Sequence, residues 1–252
     1  MKSEKYWFDR VEKPIIGLAP MHGFTNSEFR LKCKKAGADV VYSEMIASEA
    51  IVRSVPKTFE MMEFGDKERP YIVQIFGNSA ETMAKAAKIV EKQIKPDGID
   101  VNFGCPVQKA AKQQFGSYQL RDPQKAAEIV RAVAGATNLP VSVKMRLPSK
   151  IEGEIVEFVK LMFRSGAELV IIHARTATQK YGGHADWELL HKVKRHFPNK
   201  FILGSGDICT LQDLKDKLGN LDGALVGRAA KRDPEIFKEL KSLKNSEVRR
   251  GL

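Results

Sequence analysis

Eight short runs of aliphatic and β-branched residues recur along the chain, each followed by a stretch with helical spacing, and this alternation leaves few folds open to it. The runs cover Pro14–Leu18, Asp39–Tyr42, Tyr71–Ile75, Gly98–Val101, Val141–Met145, Leu169–Ile172, Phe201–Leu203 and Gly223–Val226. Near-continuous Val, Ile and Leu mark strands buried on both faces, the habit of parallel sheets with helices packed outside. The intervening segments carry helix-start signals. Thr25 and Glu28 have the spacing of a capping box, and Asp122-Pro123 and Asp233-Pro234 each place a cap before a first-turn proline. Eight such units within 252 residues match a single-domain α/β TIM barrel; the alternative, an open doubly wound sheet, lacks a GxGxxG turn after the first run. The expected organisation is one barrel domain over residues 1–240 and a short basic tail over 241–252.

A parallel barrel gathers the carboxyl ends of its strands at one mouth, where its chemistry belongs. Here those ends carry Ala19-Pro20-Met21, Ser43-Glu44-Met45, Gln74, Asn102 with Cys105, Lys144 with Arg146, His173 with Arg175, Ser205-Gly206-Asp207, and Gly227-Arg228. Any one of them reads equally well as a solvated charge, a loop cap or a core histidine. Packing alone, however, does not require polar or small residues at every strand end of one rim. Cys105 is the most pointed case, because Gly104 and Pro106 stop the Gly98–Val101 run and leave a thiol in a loop. Such a thiol is a candidate proton donor, against the bland reading of a small buried hydrophobe. The loops after the seventh and eighth runs, with Ser205, Gly206, Asp207, Gly227 and Arg228, occupy the usual barrel phosphate position. Glycines there let backbone N–H groups approach an anion, and Arg228 supplies a guanidinium fork. Lys144 would then stand beside a ring that becomes anionic on reduction, as a flavin does.

Composition narrows the partners. Lys and Arg number 42 against 31 Asp and Glu, and the formal net charge of +11 attracts polyanions and points toward nucleic acid. Three cysteines without a CxxC pair, no leader and no membrane-length apolar stretch give the expectation of a reduced, cytoplasmic protein. His22, His184, His191 and His196 show no metal-ligand spacing, so no metal is expected.

The stretches Ala19-Pro20-Met21 with Phe29-Arg30, Val73-Gln74-Ile75-Phe76-Gly77, Asp100-Val101-Asn102-Phe103-Gly104-Cys105-Pro106, Val143-Lys144-Met145-Arg146, His173-Ala174-Arg175-Thr176, Gly204-Ser205-Gly206-Asp207-Ile208 and Val226-Gly227-Arg228-Ala229-Ala230 together resemble the dihydrouridine synthases, flavoenzymes that reduce uridine in RNA. The resemblance runs from about Ile15 to Phe237. It implies an FMN ring against Pro20 and Met21, held by Gln74 and Lys144. His173, Gly206, Gly227 and Arg228 would take the ribityl phosphate, with Ala19, Ser205 and Asp207 in the same lining. Asn102 and Arg175 would lie near the flipped uracil, with Arg146 and Lys109 also in the substrate set. NADPH would reduce FMN, hydride would pass to uracil C6, and Cys105 would protonate C5. A thiol needs no special surroundings to arrive protonated at neutral pH.

Two features depart from that family. Ser205 stands where an Asn is usual, and only Lys231 to Leu252 follow the Ala229-Ala230 pair, where members carry a helical domain that grips tRNA. RNA, with tRNA foremost, is therefore expected on the barrel rim and the basic tail ending Arg249-Arg250, with Lys109 and Lys112 on the Cys105 loop as the leading basic contacts. Further candidates are Lys32, Lys34 and Lys35; Lys192, Lys194 and Arg195; Lys238, Lys241 and Lys244; and Tyr118 and Tyr181 for base stacking. Two other readings stay open: a flavin barrel acting on a free pyrimidine or other small molecule, as dihydroorotate dehydrogenases do, and an RNA-binding barrel without chemistry.

Overall fold

The computed structural model describes residues 5–248, apart from the side chains of Lys109 and of residues 245–248. Its strands are β1 (Ile15–Leu18), β2 (Val41–Ala47), β3 (Tyr71–Phe76), β4 (Gly98–Phe103), β5 (Val141–Leu147), β6 (Leu169–Thr176), β7 (Phe201–Ser205) and β8 (Gly223–Val226). They lie parallel in the order β1-β8-β7-β6-β5-β4-β3-β2. The two ends of that order meet. Leu18 N donates to Val40 O at 2.9 Å and Asp39 N to Ile16 O at 2.8 Å, which closes the sheet into the expected barrel. Asp39 fastens the seam further, since its Oδ2 accepts from Ile16 N at 2.7 Å and from Lys244 Nζ at 2.8 Å, and its carbonyl from Lys34 Nζ at 3.0 Å.

Apolar residues fill two spaces. Outside the sheet, helices such as Pro123–Ala134 and Glu152–Arg164 bury Ile129, Val130, Val133, Ile155, Phe158 and Met162. Inside, the amino-terminal half of the barrel holds Ile15, Val40, Tyr42, Ile72, Leu169, Ile171, Leu203 and Leu225, with Trp7 and Phe8 packed against them and the Phe8 ring 4.7 Å from that of Phe201. Each such side chain contributes about 1.5–3 kcal/mol on burial.

The β1 loop is anchored by a fully buried ion pair. Arg30 Nε donates to Glu68 Oε2 at 2.5 Å, while Nη1 and Nη2 donate to Thr25 O at 2.7 Å and Glu63 O at 2.6 Å. Glu68 also accepts from Ser27 Oγ at 2.6 Å and Gly65 N at 2.9 Å, so both charges are completely partnered.

Several details differ from the sequence reading. Strands β2 to β7 run one to five residues past the predicted runs, so Asn102, Arg146, His173 and Arg175 are strand residues, as Lys144 already was. Their polarity suggested loop, but the inner face of a barrel near its mouth takes polar side chains. The first helix, Ser27–Ala36, is capped by Asn26, whose side chain accepts from Phe29 N, and not by Thr25. Thr25 is buried and bonds instead to Met21 N and O through Oγ1. Lys194 and Lys244 are not free to meet RNA: Lys194 Nζ is held by Asp222 and by the carbonyls of Phe197, Pro198 and Lys200, and Lys244 Nζ by Asp39 and Glu12 O. Of the expected tail, residues up to Val248 continue the last helix, Ile236–Val248, whereas Arg249 and Arg250 lie outside the described residues.

Removing one member of a buried ion pair strands the other, a loss of about 3–5 kcal/mol. Arg30→Met is expected to lower urea-unfolding stability by that amount, and Arg30→Met with Glu68→Leu to recover part of it. Equal midpoints for the wild type and the single variant would show that the pair does not hold this loop.

Candidate active site

Above the apolar half of the barrel the interior turns polar, and strand register brings the change about. Gln74, Asp100 and Ser142 are neighbours across β3, β4 and β5, and one step higher Asn102 pairs with Lys144. Ser142 Oγ donates to Asp100 Oδ1 at 2.5 Å, Gln74 Nε2 to Asp100 Oδ2 at 2.7 Å, and Asn102 Nδ2 to Gln74 Oε1 at 2.7 Å. An ionised carboxylate only accepts, so Asp100 dictates which way both amides face. Asn102 is thereby left with Oδ1 toward the loop, where it accepts from Gly104 N and Cys105 N at 3.0 Å each.

That turn sets the thiol. Ser117 clamps the far side, its N and Oγ donating to Cys105 O at 3.1 and 2.9 Å. Gly116 allows the clamp, since at φ +60° a Cβ there would stand 2.8 Å from Cys105 O. Cys105 is half-buried and unpaired, and it faces a cavity of about 430 Å³ lined also by Pro20, Met21, Gln74, Asn102, Lys144 and His173. Cys33 is core packing, its thiol pushed up to about 12 by burial, and Cys209 is exposed.

A narrower recess of about 120 Å³ opens beside this cavity, between Ala19, Pro20, His173, Ser205, Gly206, Gly227 and Arg228. Gly206, at φ +124°, brings its backbone to within about a side-chain radius of His173, where a Cβ would lie 3.0 Å from the ring. Asp207 closes the wall without offering its carboxylate inward. Its oxygens accept from Arg175 Nη1 (2.8 Å) and Nη2 (2.7 Å), Ala185 N (2.9 Å) and Arg228 Nη2 (2.7 Å). Burial works to raise that carboxyl, but the Arg175 and Ala185 hydrogen bonds and the two arginine charges outweigh it and hold it below its ordinary value.

Cations crowd the mouth. The Lys144 ammonium makes no hydrogen bond among the described residues, and burial pushes it down to about 8 against the pull of Asp100. His173, half-buried, is driven far below its ordinary value by lost hydration and by the charges of Lys144, Arg146, Arg175 and Arg228, so its imidazole is neutral at neutral pH. Arg146 and Arg175, expected at the substrate, are each only 2% exposed and engage the protein itself. Arg146 joins Gly104 O to Thr176 O and Lys180 O, and Arg175 adds Gly182 O and Gly183 O to its Asp207 pair. Tyr181 is 59% exposed, with the Arg146 and Arg228 guanidiniums 5.5 and 5.3 Å from its ring centre. Lys112 is exposed beyond the cysteine loop, and the Lys109 side chain lies outside the described residues. The sequence reading missed Asp100 and Ser142 as site residues. Their signal was a polar residue between two aliphatic ones, Asp100 between Ile99 and Val101 and Ser142 between Val141 and Val143, which in a closed barrel faces the interior. Among the described residues no three His, Cys, Asp or Glu side chains gather as a metal site, and no helix is long and apolar enough to cross a membrane.

The family model described as dihydrouridine synthase (Dus) matches residues 17–251. A probable tRNA-dihydrouridine synthase of Aquifex aeolicus is 37% identical over 243 residues, covering 94% of this chain and 76% of that protein. Its counterpart in Treponema pallidum is 32% identical over 243 residues, with 92% and 71% covered. The tRNA-dihydrouridine synthase B of Pseudomonas putida is 34% identical over 227 residues, with 88% and 66% covered. Among solved structures, histamine dehydrogenase from Rhizobium sp. 4-9 superposes with a TM-score of 0.66 at 15% identity, over 93% of this chain and 46% of that one, a likeness of fold.

Burial raises the Asp100 carboxyl from its ordinary 3.8 to about 6, against its hydrogen bonds and Lys144. A folded value above the unfolded one gives stability that is complete below about pH 4 and lost as pH rises through about 6. Relative to Asp100→Asn, the wild type should therefore lose denaturant stability across that window. Parallel pH profiles for the two proteins would refute it.

Proposed function

The chain belongs to the dihydrouridine synthase family, and from that premise we propose that it reduces uridine to 5,6-dihydrouridine in tRNA, with FMN as resident cofactor and NADPH as reductant. The observation that carries this reading is a thiol and an unbonded ammonium facing one cavity, joined to a glycine-walled recess. These residues fit the cofactor. Lys144 has no partner of its own, Gly206 and Gly227 leave backbone room for a phosphate, and Arg228 brings charge. A flavin held there would supply hydride to uracil C6, with NADPH as the source of electrons.

The chain's own groups do the rest. Cys105 Sγ–H gives its proton to C5 and is reprotonated from water. Asn102 and Ser117 fix where that proton stands. Lys144 would offset negative charge on a reduced flavin ring, and Gln74 is held at the same wall by Asp100. Neutral His173 offers the phosphate a hydrogen bond, leaving the charge to Arg228. Arg146 and Arg175 act as positioning residues that hold the Cys105 loop and the recess wall. The proposed place of this work is the cytoplasm.

Replacing Cys105 with Ala is expected to leave NADPH-driven flavin reduction nearly intact and to slow uridine reduction by about 10²–10⁴, the usual contribution of a positioned general acid. Wild-type rates in that variant would assign the proton to another group. Lys144→Ala should release flavin from the purified protein with little change in unfolding midpoint, read by absorbance and denaturation; equal losses of both would make Lys144 structural. Mass-spectrometric mapping of dihydrouridine in RNA from cells with and without the gene tests the whole reading, and identical maps would end it.

A further inference from the structure

Phe24 is an oddity of packing. It lies in the loop after β1 with 42% of its surface exposed, although a phenylalanine normally buries itself. It is not loose, because Phe24 N donates to Met21 O at 3.1 Å and the next residue, Thr25, is gripped by the buried Arg30. Lys231, on the short helix Arg228–Arg232, sets its ammonium 3.7 Å from the ring centre. Both side chains line the cavity that Cys105 faces. The fold thus holds a partly exposed aromatic ring and a positive charge over it together at the edge of the site.

We propose that Phe24 and Lys231 form a docking step for the nucleotide adjacent to the target uridine, its base stacking on the ring and its phosphate meeting the ammonium. The proposal rests on the RNA reading above and adds a subsite to it. Its physical reason lies in base flipping: a uridine drawn out of its stack leaves the neighbouring base with one face uncovered, at an expense of about a few kcal/mol. An aromatic ring held in place restores that contact, and a base–aromatic stack tolerates any base because every base has a π-face. A cation within 6 Å of the ring reinforces the pairing and balances the backbone charge.

The two residues leave different thermodynamic marks, so tRNA binding followed by anisotropy over a range of salt separates them. Phe24→Ala should weaken binding about 5- to 100-fold at every salt concentration with an unchanged log–log slope. Lys231→Ala should reduce the slope by about 0.7, one phosphate contact. Phe24→Trp should restore affinity, and Phe24→Leu, which keeps apolar bulk without a π-face and guards against misfolding of the Ala variant, should not. In a short RNA substrate, an abasic site beside the target should erase the difference between the wild type and Phe24→Ala on one side of the uridine. A wild type that reduces tRNA while Phe24→Ala and Phe24→Leu bind it normally would overturn this subsite alone. Absence of tRNA binding and of dihydrouridine with the wild type would overturn the function as well.

Discussion

Everything at the mouth depends on the sheet closing at Asp39. Its N–H and carboxylate take both Ile16 backbone groups, and two lysines from the first and last helices fasten it from outside. An open sheet of the same strands would spread their carboxyl ends in a row and leave Asp100, Gln74 and Lys144 in water. Closure brings those ends to one cavity and excludes solvent from one side of them. It is therefore the source of the burial that moves the Asp100 and Lys144 ionisations toward each other.

The closed interior divides along its axis, with aliphatic side chains and Trp7 and Phe8 at the amino end and hydrogen-bonded polar groups at the carboxyl end. A buried polar layer is tolerable only when its members are satisfied, and the chain from Ser142 through Asp100, Gln74 and Asn102 to the Cys105 N–H meets that condition. The same chain transmits position. A carboxylate two strand residues below the rim decides how a backbone turn above it is held.

Charge at the mouth is deliberately unbalanced. Lys144, Arg146, Arg175 and Arg228 face the carboxylates of Asp100 and Asp207, and His173 answers the excess by staying neutral. Arg175 is saturated by Asp207 and two carbonyls, so the unmet positive potential is concentrated on Lys144, Nη2 of Arg146 and the outer part of Arg228. In a low-dielectric recess such a potential favours anionic ligands more than the overall charge of +11 does, because solvent and salt screen the surface but not the pocket.

Eight strands, their parallel run and the polar character of one rim were all legible in the chain, since each rests on local pattern: aliphatic runs, helical spacing between them and polar residues at run ends. Cys105, Lys144, His173 and Arg228 could be named for the same reason. What the pattern could not contain was partnership across the barrel. Arg175 and Arg228 have the same chemistry in sequence, yet one is sealed against Asp207 and two carbonyls while the other keeps half its surface free. Lys194 and Lys244 read as docking charges and turned out to cap carbonyls at the opposite end. Asp100 looked like one polar residue in an alternating strand until Gln74 and Ser142 arrived from neighbouring strands. Residue type and spacing act over a few positions of the chain, whereas the role of a buried charge is set by whichever groups closure of the sheet brings within hydrogen-bond reach.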